Sequence, residues 1–390
     1  MTRVNCSADD IHWPSLCAAI AAVAAVGIAI GLGLPLFSMI LEKRGIPSTL
    51  IGLNSAMAGV ASMLAAPLTT RLAHSYGVAK TMIVAVFVSS VSALSFYFAD
   101  AFWMWFPLRI VFHGATTMLF ILSEFWINAT APPKRRGQLL GMYATGLGLG
   151  FAVGPLVFSA VGSEGIIPFA AGAIIILFAA VPIFLARNSS PSLDDDTNHN
   201  FLRFIWLVPM ASAAAFIYGA VQVGGLSLFP IYATRMGFSE SQAGFLLTVM
   251  ALGSIAFQIP IGMLSDRMRN RRALLGLMAL FGLICTFLLP LVIGNWMATS
   301  VLLLFWGACV SGMYTVGLSH LGSRLTGSDL VGANAAFIFC YAVGTIVGPQ
   351  SVGALMDLKG TNGFAWALAG FFSLYVLLSV VRSAFGPKRT

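Results

Sequence analysis

Twelve runs of about 20 apolar residues constrain this chain more than any other feature, because at 1.5 Å of rise per residue each can cross a hydrocarbon core of about 30 Å. Six lie before residue 190, over Leu16–Leu41, Leu50–Ala73, Val78–Ala99, Phe102–Thr130, Gly137–Ala160 and Ile166–Ala186. Six more follow over Leu202–Ala233, Gln242–Ser265, Ala273–Ile293, Met297–Ser323, Leu330–Met356 and Gly363–Val381. In lipid every backbone N–H and C=O must be satisfied within the segment, so runs of this length predict helices. The first run exceeds the roughly 7 to 15 residues of a signal-peptide core and is expected to be a retained helix. A soluble domain is excluded by composition, since 9% of the 390 residues are charged against about 25% in soluble proteins.

The net charge of +8 does not point to nucleic acid, because the basic residues form no patch on a soluble surface. They collect on one side instead. With both termini cytoplasmic, the inner segments hold Arg3, Arg71, Lys80, Lys134, Arg135, Arg136, Arg187, Arg203, Arg267, Arg269, Arg271, Arg272, Arg324, Arg382, Lys388 and Arg389, while the outer loops hold Lys43, Arg44, Arg235 and Lys359. Short basic loops resist translocation, so this asymmetry sets the expected orientation. A polar stretch from Arg187 to Asn200, with Ser189, Ser190, Pro191 and the acidic run Asp194 to Asp196, reads as a cytoplasmic linker. The expected division is therefore a six-helix bundle over 1–186, a linker over 187–201 and a second six-helix bundle over 202–390.

The two halves repeat at a spacing of roughly 193 residues, the internal symmetry of carriers that rock two bundles about a central site. Gly150-x-x-x-Gly154-Pro155 on the fifth span is matched by Gly344-x-x-x-Gly348-Pro349 on the eleventh, and Pro67 on the second by Pro260 on the eighth. The glycines from Gly146 to Gly154 lie inside an apolar run rather than after a strand, which favours close helix packing over a nucleotide loop. The five cysteines, Cys6, Cys17, Cys285, Cys309 and Cys340, are odd in number and scattered, so they read as packing residues and not as metal or redox ligands.

These landmarks carry a resemblance. Gly262-Met263-Leu264-Ser265-Asp266-Arg267, followed by Arg271 and Arg272, resembles the signature loop G-x-L-x-D-R-x-G-R-[RK] of the major facilitator superfamily, with Arg269 where that motif has glycine. The matching first-half loop is degenerate, with Thr70, Leu72, Ala73, His74 and Gly77, so that His74 replaces the usual aspartate. Arg109 resembles the family's buried arginine on the fourth helix. Gly150 to Pro155 resembles its fifth-helix motif, with Phe158 and Ser159 in place of trailing glycines. The spacing of Arg109 to Glu124, the run Arg136-Gly137-Gln138-Leu139-Leu140, the Pro260-Ile261-Gly262 turn and Tyr314 to Asn334 are similar to the YcaD-like group of bacterial inner-membrane proteins. The resemblance implies two pseudo-symmetric six-helix bundles, an all-α fold, and secondary transport by alternating access. The Asp266 loop, with Arg267 and Arg271, is expected to be a conformational latch, its carboxylate pairing with neighbouring arginines or a helix N-terminus in one state and releasing them in another, with simple topological anchoring as the alternative.

Ionisable groups inside a span are costly and mark cavities or partners. The fourth span carries Arg109, His113 and Glu124, and at about 100° per residue His113 lies about 40° and Glu124 about 60° from Arg109, on one face with Thr117 and Phe120. If Trp103 and Trp105 mark the outer aromatic belt, Glu124 lies about 30 Å deeper, near the cytoplasmic boundary. Glu124 is expected to pair with Arg135, Arg136 or Arg71 in an inner gate, with proton carriage as the alternative. Arg109 is expected to line the cavity or bias a nearby proton site, with a packing role as the alternative. His113 either titrates near neutrality or is hydrogen-bonded within the bundle.

The second half presents a neutral surface. Tyr218, Gln222, Gly225, Phe229 and Tyr232 share a face of the seventh span, as do Trp306, Met313, Gly317 and His320 on the tenth, and Gln258, Asn334 and Tyr341 add polar groups. Stacking surface with uncharged amides suits an uncharged, partly aromatic cargo. The expectation is a monomeric secondary transporter in a bacterial inner membrane, coupled to protons, importing a small organic solute such as riboflavin. Its partners are the solute, protons and the bilayer, with no nucleic acid, cofactor or metal. Proton-antiport efflux of drugs or metabolites is the rival within the class, and a non-transporting membrane sensor the rival outside it. Nothing resembles G-x-S-x-G or H-E-x-x-H, so no enzymatic activity is expected.

Overall fold

The protein, seen in a computed structural model, is described over residues 12–132, 135–191, 202–268, 270–325 and 327–385. Cys6, Lys134, Arg269, the terminal basic residues and most of the expected linker, 192–201, lie outside the described residues, as does the side chain of Arg136. Among the described residues twelve helices are long and apolar enough to cross a membrane: α1 (Trp13–Lys43), α2 (Ser48–Tyr76), α3 (Val78–Phe98), α4 (Phe102–Thr130), α5 (Gly137–Val161), α6 (Ile167–Leu185), α7 (Pro209–Arg235), α8 (Glu240–Arg267), α9 (Arg271–Val292), α10 (Trp296–Gly322), α11 (Gly332–Lys359) and α12 (Gly363–Arg382).

Two helices depart from the apolar runs, both because of proline. The seventh span begins at Pro209, not at Leu202: Arg203–Leu207 is a separate short helix. Between them Val208 takes φ −125° and ψ 58°, since the ring of a following proline disfavours the helical region for its predecessor. In α6 the helix breaks at Ala179, where Pro182 removes a backbone donor and crowds the carbonyl of Phe178 four residues back.

The turns repeat as the sequence does. After α1, Gly45 adopts φ +73° and Ile46 N–H reaches back to Leu41 O at 3.1 Å. After α7, Gly237 adopts φ +99° and Phe238 N–H reaches Ala233 O at 3.1 Å. Both are glycine-terminated helix ends whose last carbonyls are satisfied by the chain reversing in the left-handed region. The start of α8 is closed by a capping box, with Gln242 N–H on Ser239 Oγ at 3.1 Å and Ser239 N–H on Gln242 Oε1 at 2.9 Å.

Contacts sort the chain into two compact units: Met1–Gly33, Ala61–Gly154 and Glu164–Asp196 form one, and Leu34–Val60, Pro155–Ser163 and Thr197–Thr390 the other. The first has a core of Leu16, Ala19, Val23, Ile127, Leu139 and Tyr143 from α1, α4 and α5. The second has a core built on Phe204, Val208, Ala211, Ala215, Leu321, Ala333, Ala336 and Phe337, from the short helix, α7, α10 and α11. The units do not coincide with the halves of the repeat, because one end of α1, α2 and α5 packs with α7, α8 and α11. Gly52 lies on the carbonyl of Pro349, and a Cβ built on Gly244 would stand 2.9 Å from the carbonyl of Pro155.

Candidate functional site

In the first unit, the α4 face that carries the ionisable residues opens progressively along its length. Arg109 is 0% and His113 4% exposed, Thr117 and Phe120 are half-buried, and Glu124 is exposed. His113 Nε2 finds no hydrogen-bond acceptor or donor among the described residues, and its ring meets Phe112 edge-on at 5.1 Å. Thr117 Oγ1 lies 2.9 Å from Ser62 Oγ of α2. Beside Glu124, Ser123 Oγ shares a hydrogen bond with the Tyr143 hydroxyl of α5 at 3.0 Å. Glu124 itself makes no ion pair among the described residues. Of the two tryptophans read as a belt, Trp103 is 70% exposed while Trp105 is 0% exposed. The latter is an interior residue, its Nε1–H donating to Ala99 O at 3.0 Å and its ring packed on Phe96 at 5.1 Å.

At the end of α8 the signature-like loop is held mainly by Arg271. Its Nε donates to Ser265 O and its Nη1 to Ser319 O, each at 3.2 Å, and its Nη2 reaches Asp266 Oδ1 at 3.3 Å. A guanidinium on the terminal carbonyls of α8 and α10 complements the negative ends of both helices. The Asp266 carboxylate is mostly in the open, and such exposed pairs contribute only about 0 to 1 kcal/mol. Arg267 is exposed beside it.

The neutral residues of the second unit divide into two groups. Tyr218, Gln222 and Tyr341 come together: the Tyr341 hydroxyl donates to Gln222 Oε1 at 3.4 Å, and Tyr218 and Tyr341 stack at 5.6 Å and 28°. Tyr314 of α10, which was not among the expected cavity residues, completes this cluster, 4.9 Å from Tyr218 and 6.3 Å from Tyr341. All four side chains are partly exposed. Phe229 and Trp306, expected to face cargo, are 2% and 5% exposed. Phe229 packs on Phe364 of α12 at 5.9 Å, and the Trp306 ring lies where a Cβ on Gly225 would stand 3.0 Å away. Gln258 is exposed and Asn334 half-buried, and neither joins the tyrosines through a hydrogen bond among the described residues. An apolar groove of about 540 Å³ between α9 and α10 contains none of the expected site residues. Among the described residues no three His, Cys, Asp or Glu side chains converge as metal ligands would.

The glycine pairs make the closest helix contacts. A Cβ on Gly150 would lie 2.5 Å from Ala24 O and one on Gly154 2.6 Å from Leu32 N, so α5 meets the α1 backbone directly. In the other unit Gly344 and Gly348 meet Phe216 and Ala220 of α7 in the same manner. Pro155 and Pro349 follow these pairs and turn their carbonyls to Gly244 and Gly52.

Residues 18–240 and 211–390 match the family model described as Major Facilitator Superfamily. The chain is 28% identical over 367 residues to an "uncharacterized MFS-type transporter YfkF" of Bacillus subtilis (strain 168), covering 90% of this chain and 91% of that protein. It is 23% identical over 342 residues to the similarly described YcaD of Escherichia fergusonii, covering 87% and 88%. Among solved structures, the nucleoside transporter NupG superposes with a TM-score of 0.77 at 12% identity, covering 96% of this chain and 100% of that one. A D-xylose-proton symporter superposes with a TM-score of 0.76 at 15% identity, covering 96% and 97%. At such identities the likeness is one of fold.

Proposed function

The chain belongs to the major facilitator superfamily, and from that premise we propose that it moves a small organic solute across a bacterial inner membrane by alternating access, driven by protons. The leading cargo is a neutral, flat nutrient such as riboflavin, taken up into the cell. The observation that carries this reading is the cluster of Tyr218, Tyr314 and Tyr341 around Gln222. Three tyrosine faces favour a planar π-system. A neutral amide pairs with carbonyl, imide or hydroxyl groups without the cost of burying a charge. Two structural neighbours carry neutral hydroxylated solutes by name, a nucleoside and D-xylose, and one is named as a proton symporter. Arg109 and His113 on the α4 face are the groups through which protons would act, and Glu124 at the end of that face, with Asp266, Arg267 and Arg271, those that would gate and steady the inner end. The two six-helix halves, 1–186 and 202–390, would rock about the linker.

Efflux is the second reading, favoured by the Gly150 to Pro155 motif, which resembles that of antiporters. Purified protein in liposomes with an imposed proton gradient separates the two when labelled riboflavin, a hexose and a hydrophobic cation are followed in parallel. Inward accumulation of riboflavin supports the proposal. Movement of the cation alone, outward and against its gradient, replaces it with efflux. Movement of none of the three favours a sensor that keeps the fold.

A further inference from the structure

Within the second unit, three carboxylates hold the turn between α1 and α2 against α7, α8 and α11. Arg235 forks onto Glu42, Nε to Oε1 at 2.8 Å and Nη2 to Oε2 at 3.0 Å, and also reaches Ser48 Oγ at 3.0 Å. Lys43 Nζ lies 2.5 Å from Glu240 Oε1, while Glu240 Oε2 accepts from Ser163 Oγ at 2.6 Å. The third contact differs in kind. Asp357, in the last turns of α11, meets no cation among the described residues and instead caps α2: Ser48 N–H donates to Oδ1 at 3.0 Å, and Thr49 N–H and Oγ1–H both donate to Oδ2 at 2.7 Å. The first turn of α2 has no acidic residue of its own. Beneath the cap, Gly353 of α11 lies against the Ser48 backbone, and the buried hydroxyls of Ser38, Ser55 and Ser227 join α1, α2 and α7, with Ser227 Oγ 2.7 Å from Ser38 Oγ and 2.5 Å from Ser55 Oγ.

We propose that Asp357 is the latch of this end of the molecule: it caps α2 while the end is closed and gives up the α2 amides to water when it opens, so that it sets the ratio of the two access states. This rests on the alternating-access reading above. A helix N-terminus leaves backbone donors without partners and carries partial positive charge, so a carboxylate supplied from a distant helix binds it with charge-assisted hydrogen bonds. The neighbouring ion pairs are partly exposed, and Asp357 is exposed too; what sets Asp357 apart is that it accepts three hydrogen bonds at one helix start, two of them from backbone amides. Release remains cheap, because water satisfies both the amides and the carboxylate once they part. A cap of this kind shifts a two-state ratio by about tenfold.

The test uses full-length protein whose native cysteines are replaced. Ser38→Cys with Ser227→Cys reports the closed end by oxidative crosslinking, and Ser227→Cys alone reports the open end by its labelling rate with an impermeant thiol reagent, each with and without an imposed proton gradient. Asp357→Ala is expected to slow crosslinking and speed labelling by about tenfold. Asp357→Asn, which keeps a capping oxygen, should restore part of the difference. Thr49→Ala, which removes one donor and leaves Asp357 in place, should move both rates the same way by less, and it decides the matter if Asp357→Ala does not fold. If the parent responds to the gradient but these variants match it in both rates, Asp357 is not the latch. A parent that responds to no gradient overturns the alternating-access reading instead.

Discussion

Arg109 is a fully buried guanidinium on a helix long and apolar enough to span the membrane, and a charged residue within such a span is costly to insert. Its removal should therefore leave the helix inserted while changing what the bundle does. Arg109→Ala is expected to abolish gradient-driven accumulation with the detergent melting temperature little changed. Arg109→Lys should rescue it only in part, because lysine keeps the charge but loses the planar fork of donors. Full accumulation by the alanine variant would remove Arg109 from the mechanism. Tyr314 offers a second test at this scale. Its ring contacts both Tyr218 and Tyr341, and aromatic pairs are worth about 0.5 to 1.5 kcal/mol beyond area burial. Tyr314→Ala should raise the KM for a flat cargo by up to about tenfold, and Tyr314→Phe, which keeps the ring, much less. An unchanged KM in the alanine variant would remove the stacking role. Tyr314 is hard to read from sequence because it neighbours Met313 on α10, about 100° away from the face that Trp306, Met313, Gly317 and His320 suggest.

Helix α5 provides its own control for the packing argument. A Cβ on Gly150 meets Ala24 O at 2.5 Å, whereas one on Gly141 meets nothing within 4 Å. Gly150→Ala is expected to destabilise the protein by about 1 to 3 kcal/mol through overpacking. Gly141→Ala should be neutral or stabilising, since alanine favours a helix over glycine by about 1 kcal/mol. Thermal melts in detergent compare them directly, and equal behaviour would show that α5 does not need its close approach to α1. The twelve spans were legible because apolar length is a local property of the chain, and the glycine pairs because they recur at matching places in both halves. The start of α7 was misread because the apolar run continues through Val208 and Pro209, where hydropathy does not register the backbone consequence of proline. Asp357 was invisible for another reason: its partners, Ser48 and Thr49, are far away in sequence, and a lone aspartate near the end of a span looks like any boundary residue. Phe229 and Trp306 are buried rather than partly exposed like the tyrosines, a difference hidden from the sequence because helical spacing places side chains on a shared face without saying whether a neighbouring helix covers it.

At the scale of the whole molecule, the proposed coupling of proton movement to cargo movement can be built in two ways, and Glu124 separates them. It is exposed at the end of the α4 face that begins with buried Arg109 and His113, and it makes no ion pair among the described residues. A group that pairs only in the opposite access state acts as a gate, and its neutralisation slows every step that requires the conformational change. A group that carries the proton is needed only when the empty carrier must lose or gain that proton to return. Glu124→Gln therefore gives different results in two assays on the same liposomes. As a gate residue it should slow both gradient-driven accumulation and the exchange of labelled for unlabelled cargo across equal pH. As the proton carrier it should lose accumulation yet keep exchange, since exchange can cycle without net proton transfer. Asp266→Asn serves as the comparison, because its contact with Arg271 is an exposed pair at 3.3 Å and its effect should be confined to a modest slowing of both assays. We expect the gate result for Glu124, with both rates reduced together. Retained exchange with lost accumulation would move the proton site to the Glu124 end of α4, and unchanged rates in both assays would leave Glu124 as a marker of topology alone.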